Sequence, residues 1–137
     1  MNRFLGVALI VMALAIAIVP AFTDCQSQGK ALTLANGRTV PMKCHWTGVA
    51  EIATGVPLMA VGAMMTFTRR KRNLLGLGVM GSILGIFAIL LPTQMIGVCT
   101  SMTGLCNTVM KPTLVTLGSL AIVGSLGVMV IARKASD

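Results

Sequence analysis

Charge and aromatic residues are what this chain has least of. It holds no tyrosine, one tryptophan, one histidine and three acidic residues, and charged residues make up 10% of it. A soluble domain carries about 25% charged residues, so water is not the main solvent for most of this surface. The shortage of carboxylates leaves few groups for hydrolytic acid–base chemistry: beyond Asp137 there are only Asp24 and Glu51. No Ser–His–Asp set, paired carboxylates or phosphate loop is present, so no catalytic residue is assigned and a non-enzymatic role is expected. Aromatics interleaved with a basic face are also missing. The net charge of +8 therefore does not point to nucleic acid.

What is present is hydrophobic. Apolar residues make up 55% of the 137 positions, and mean hydropathy is +0.91. They gather into four runs, about 4–22, 48–67, 74–91 and 113–132, each long enough to cross roughly 30 Å of hydrocarbon. The expected fold is an all-α membrane protein: one domain, a four-transmembrane-helix bundle, with a small disulfide-stapled extracytoplasmic cap made from loops 23–47 and 92–112. The first run follows Asn2-Arg3, as a signal peptide would, but it is long and lacks an A-x-A site, so it is read as a retained span. Small residues mark close-packing faces: Ala13 and Ala17 in the first run, Gly81 and Gly85 in the third. Pro57 is expected to kink the second run.

The charges give a direction. Arg69-Arg70-Lys71-Arg72 sits between the second and third runs with almost no loop. Arg3 and Arg133-Lys134 fall on the same side of a four-span chain. Lys30, Arg38, Lys43 and Lys111 fall on the other. Seven positive charges against four put the termini and the basic turn in the cytoplasm. Both longer loops then lie outside, in a multi-pass membrane protein with both termini cytoplasmic.

All four cysteines lie in or beside those two loops: Cys25 and Cys44 in the first, Cys99 and Cys106 in the second. An even count on an oxidising face suits disulfides. Pairing within each loop, Cys25–Cys44 and Cys99–Cys106, is the first expectation. A helical second loop would forbid the latter, because seven residues of helix rise about 10.5 Å and a bridge needs Cα atoms within roughly 7 Å. Bridges would then cross between the loops, or thiols would stay free. Asn36-Gly37 marks a hairpin turn between 31–34 and 38–40, with Pro41 ending its second strand.

The densest chemistry is in Met42-Lys43-Cys44-His45-Trp46-Thr47, with Glu51 beyond it. Met42, Cys44 and His45, with Met102 in the second loop, are soft or borderline ligands. Together they suit Cu(I), and Met or His also ligates haem iron. Copper or haem is the cofactor class implied, against the plainer reading that Met and Cys pack as apolar residues. Were Gly97–Met110 helical, Cys99, Met102, Cys106 and Met110 would share one stripe. Trp46 reads as an interfacial anchor. Glu51 is either a functional carboxylate at the membrane boundary or, with Gly48 as N-cap, an ordinary N3 residue, with His45 as a possible partner. Covalent haem attachment needs C-x-x-C-H, and position 41 is Pro.

The stretch Pro41-Met42-Lys43-Cys44-His45-Trp46-Thr47, followed by Cys99…Cys106…Met110-Lys-Pro112-Thr113, resembles a bacterial family of small four-span membrane proteins of unknown function. Its members share a Met-x-Cys-His-Trp/Phe-Thr motif before the second span and a Cys-rich second loop. The resemblance implies a partner: an ABC transporter permease of the macrolide-exporter or lipoprotein-release type. The implied function is an accessory subunit of a membrane transport complex, whose Cys/His/Met cap binds a partner or a soft ligand. In layout alone the chain also resembles the four-span disulfide-generating quinone reductases, which implies a membrane thiol–disulfide oxidoreductase as the alternative. Those proteins use a C-x-x-C, and here the first pair is nineteen positions apart.

Overall fold

The structure, a computed structural model, describes residues 2–99 and 104–134. It is a bundle of four long helices: α1 (Asn2–Thr23), α2 (Lys43–Phe67), α3 (Lys71–Leu90) and α4 (Lys111–Lys134). All four are long and apolar enough to cross a membrane. The chain is a multi-pass membrane protein.

Each helix buries one narrow stripe. In α1 it runs Gly6, Leu9, Ala13, Ile16 and Pro20; in α3 it runs Leu74, Gly78, Gly81, Gly85 and Ala88. The alternating steps of three and four residues repeat near 3.5, the period at which nearly antiparallel helices keep a seam in contact. The opposite faces carry exposed Val, Ile, Leu, Met and Phe, such as Val11, Val56, Ile83 and Val123, as a lipid-facing surface should.

Lipid is as apolar as leucine, so burial of apolar area does not drive these helices together; close van der Waals packing does. The bundle is accordingly two tight antiparallel pairs, α1 with α2 and α3 with α4, leaning on each other more lightly. Glycines set both pairs. A Cβ on Gly118 would lie 2.9 Å from the Gly85 carbonyl oxygen, and one on Gly85 would lie 3.0 Å from that of Gly118. In the other pair a Cβ on Gly62 would lie 3.0 Å from the Gly6 carbonyl oxygen, and one on Gly55 would meet Ala13 and Ala17. The small-residue faces read from Ala13/Ala17 and Gly81/Gly85 are thus helix contacts. The spacing Gly76-x-Gly78-x-x-Gly81 has the letters of a dinucleotide loop, but it lies within α3, which directly follows another helix rather than a strand.

Helix boundaries differ from the sequence reading at the loop end. Helix α2 starts at Lys43, with extended Met42 as its N-cap residue, so Cys44, His45, Trp46 and Thr47 are helical rather than part of a loop. It runs on through Pro57. Helix α3 continues past Leu90 into a π-helical turn, Leu91–Met95, that contains Pro92. A second π-helical turn, Cys106–Met110, leads into α4. Between them Gly97–Cys99 is irregular. One continuous helix over Gly97–Met110 is therefore not formed, and Met102 lies outside the described residues.

The first loop carries the expected hairpin in shortened form. Strands β1 (Leu32–Thr33) and β2 (Thr39–Val40) pair antiparallel, with Leu32 opposite Val40. Gly37 takes φ of 76° in the turn, a value that an L side chain resists.

At the other end, Arg69, Arg70, Lys71 and Arg72 are exposed in the α2–α3 turn. Arg3 and Arg69 border one groove there, and Arg133 and Lys134 end α4 nearby.

Candidate functional site: a four-cysteine cluster

The two loops meet over one end of the bundle, and sulfur is what meets. Cys25 follows α1 in a turn closed by the Lys30 N–H donating to its carbonyl (2.9 Å). Its Sγ lies 3.0 Å from Cys44 Sγ, 3.1 Å from Cys106 Sγ and 3.6 Å from Cys99 Sγ. Cys44 and Cys99 are paired at disulfide distance, with Cα atoms 6.1 Å apart, inside the usual bridging range. Cys25 and Cys106 are buried thiols.

Within-loop pairing is the first expectation from sequence; the pair at disulfide distance here, Cys44 with Cys99, crosses between the loops, while Cys25 stays 3.0 Å from Cys44. The cause is the early start of α2. Cys44 falls on the buried stripe with Thr47, Gly48 and Glu51. From one turn below, the Thr47 hydroxyl donates to the Gly97 carbonyl at 2.7 Å. That bond draws the segment after α3 against α2 and delivers Cys99 to Cys44. Helix restarts at Leu105, which turns Cys106 inward toward Cys25, and its thiol donates to the Thr23 carbonyl at 3.3 Å.

His45 is not a member of the cluster. Its Nδ1 lies 3.1 Å from Asp24 Oδ2, so the suggested pairing with Glu51 is replaced by one with Asp24. The reason is angular: six residues of helix turn about 600°, which puts positions 45 and 51 on different faces. Asp24 is the site residue that sequence reading passed over. Its Oδ1 accepts from the Ser27 N–H at 2.8 Å, and the Asp-x-x-Ser spacing was the available signal. Burial pushes the Asp24 carboxyl up, but bonds from the Ser27 N–H, His45 and the Ser27 side chain outweigh it and hold the group below its ordinary 3.8.

Met42 stays close, with its Sδ 3.9 Å from Cys99 Sγ. Trp46 is 56% exposed and stands edge-on to His45 with ring centroids 5.9 Å apart. Glu51 is 0% exposed, two turns into α2, and neither carboxyl oxygen has a hydrogen-bond partner among the described residues. An N3 role does not apply to it, because the helix starts at Lys43 and not after Gly48.

Residues 4–131 match a family described as a domain of unknown function, DUF4418. The chain belongs to that family. The match spans all four helices and the whole cysteine cluster of this DUF4418 chain. No curated protein and no solved structure matches it.

The cluster permits two kinds of chemistry. The Sγ atoms of Cys25, Cys44 and Cys99 lie within 4.8 Å of one another, a separation that one soft ion can bridge. Four thiolates about a tetrahedral ion at ~2.3 Å would stand roughly 3.8 Å apart. The 3.0 and 3.1 Å contacts of Cys25 are shorter than that, and its 3.6 Å contact with Cys99 is close to it. Cys25 lies beside the Cys44–Cys99 pair rather than on its axis, being near both sulfurs. In-line attack on Cys44 therefore needs a rotation of the Cys25 side chain.

Proposed function

We propose that this protein is a membrane-embedded thiol–disulfide exchange protein whose four cysteines form one network on the non-cytoplasmic face. The observation that carries this is the position of Cys25, a buried thiol touching three other cysteine sulfurs, two of them already paired. Attack by Cys25 thiolate on Cys44 forms Cys25–Cys44 and releases Cys99 thiolate. Attack by Cys106 then returns Cys44 thiolate and leaves Cys25–Cys106. Each step exchanges one disulfide for another and leaves the electron count unchanged.

The orientation follows the positive charges: seven at the turn-and-termini end against four at the cysteine end favour a cytoplasmic basic turn. The cysteines then face the oxidising side of a bacterial cytoplasmic membrane, where disulfides persist.

Non-reducing peptide mapping of the purified protein, acid-quenched across a glutathione titration, tests the network. Cys25–Cys44 and Cys25–Cys106 peptides should appear beside Cys44–Cys99 at intermediate poise. A Cys44–Cys99 bond that stays closed throughout, with Cys25 and Cys106 never joined, would reduce the cluster to a staple.

A second reading rests on Met42. With the pair reduced, Cys25, Cys44 and Cys99 beside the Met42 thioether make a soft Cu(I) set, and copper fits it better than haem. The chain would then be an accessory subunit that hands a soft ligand to a transport partner such as an ABC permease. Tight, stoichiometric Cu(I) uptake by the reduced protein that Met42→Leu weakens would favour this reading over exchange.

A further inference from the structure

A cavity of about 470 Å³ opens beside the cluster. Cys25, Cys99 and Cys106 reach it, with Met42 among the apolar walls, and the charged residues lining it are Lys30 and Lys43. No carboxylate is among the described lining residues; the nearby Asp24 is occupied by His45 and Ser27. Of the four cysteines Cys99 is the most exposed, while Cys25, Cys44 and Cys106 are buried. An incoming sulfur in this cavity thus meets the outer atom of the Cys44–Cys99 pair, with Lys30 and Lys43 among the residues around it.

We infer that the cavity admits a small anionic thiol, one bearing a carboxylate or sulfonate, as the exchange partner of Cys99; this rests on the exchange reading above. The volume falls within the range of small-molecule sites. The two lysines favour both the thiolate form that attacks and a negatively charged tail. The thiolate attacks Cys99 Sγ, a mixed disulfide forms, and the Cys44–Cys99 bond breaks with its electron pair going to Cys44. A second thiolate attacks the small thiol's sulfur in that mixed disulfide and releases Cys99. Two small thiols are oxidised to their disulfide, and one protein disulfide is reduced to two thiols.

Three two-carbon thiols separate charge from size: 2-mercaptoethanesulfonate, 2-mercaptoethanol and cysteamine. The rate at which each opens Cys44–Cys99 in the full-length protein in nanodiscs is followed by maleimide mass tagging. Dividing by each thiol's rate with a small exposed disulfide removes intrinsic reactivity. At low salt the corrected anionic-to-cationic ratio should be on the order of tenfold and should shrink as salt rises. In Lys30→Gln/Lys43→Gln it should fall to about one, whereas Arg38→Gln, on the hairpin outside the cavity, should keep it. A ratio near one in the unaltered protein, or one unchanged in the double variant, overturns the inference while leaving exchange intact. If not even the neutral thiol opens the bond, the exchange reading itself fails.

Discussion

Replacing Glu51 with leucine should make this protein more stable. Glu51 is fully buried on α2, and both its oxygens lack partners among the described residues. An unsatisfied buried polar group costs about 1–3 kcal/mol, and a carboxyl presents two such atoms. Leucine removes that cost but is somewhat bulkier, and overpacking returns roughly 1 kcal/mol of it. The net expectation is a gain of about 1–2 kcal/mol. In a chain of this size that is a rise of roughly 3–8 °C in Tm. Glu51→Gln keeps the shape and the unsatisfied atoms, so it should recover little of the gain. Thermal unfolding in detergent micelles, followed by circular dichroism and Trp46 fluorescence, reads both variants. A loss of more than about 1 kcal/mol in Glu51→Leu would refute the reasoning. It would mean that the carboxyl holds a cation or water in the folded state, and would make Glu51 part of the functional site.

Two further outcomes follow from the packing and from the cap. Gly118→Val should weaken the α3–α4 pair by about 1–3 kcal/mol through overpacking, because its Cβ would press on the Gly85 carbonyl oxygen at 2.9 Å; Gly127→Val, whose Cβ would meet nothing within 4 Å, should be nearly neutral in the same melts. The Asp24 carboxyl is held below 3.8 in the folded protein, so its contribution is complete above the unfolded value and is lost as pH falls through the lower folded one. Acid titration of Trp46 fluorescence should therefore show cap loosening below about pH 3.8 that Asp24→Asn abolishes, and an identical acid transition in Asp24→Asn would contradict the assignment.

Much of this architecture is legible in the sequence because its signals are local. Four apolar runs, Asn36-Gly37, and the Gly81 and Gly85 face each state their role within a few residues. The pairing of Cys44 with Cys99 is not local. It depends on where α2 begins, and Met42-Lys43-Cys44-His45-Trp46 has no Ser, Thr, Asp or Asn cap to mark that start. It depends also on one hydroxyl, Thr47, reaching the Gly97 carbonyl fifty residues away. Asp24 was hidden for a similar reason: its partner His45 lies across a loop. The gathering of all four cysteines at one end was readable from charge and topology, and the contacts among their sulfurs were not.

The most direct test of a shared sulfur network is to remove one member and see where the bond goes. In Cys99→Ser, Cys44 keeps Cys25 as a neighbour at 3.0 Å, so peptide mapping after mild oxidation should find a Cys25–Cys44 disulfide, with Cys106 left to alkylate. Finding Cys25 and Cys44 both alkylated under those conditions would contradict the account, since bonds in this cluster would then not pass through Cys25.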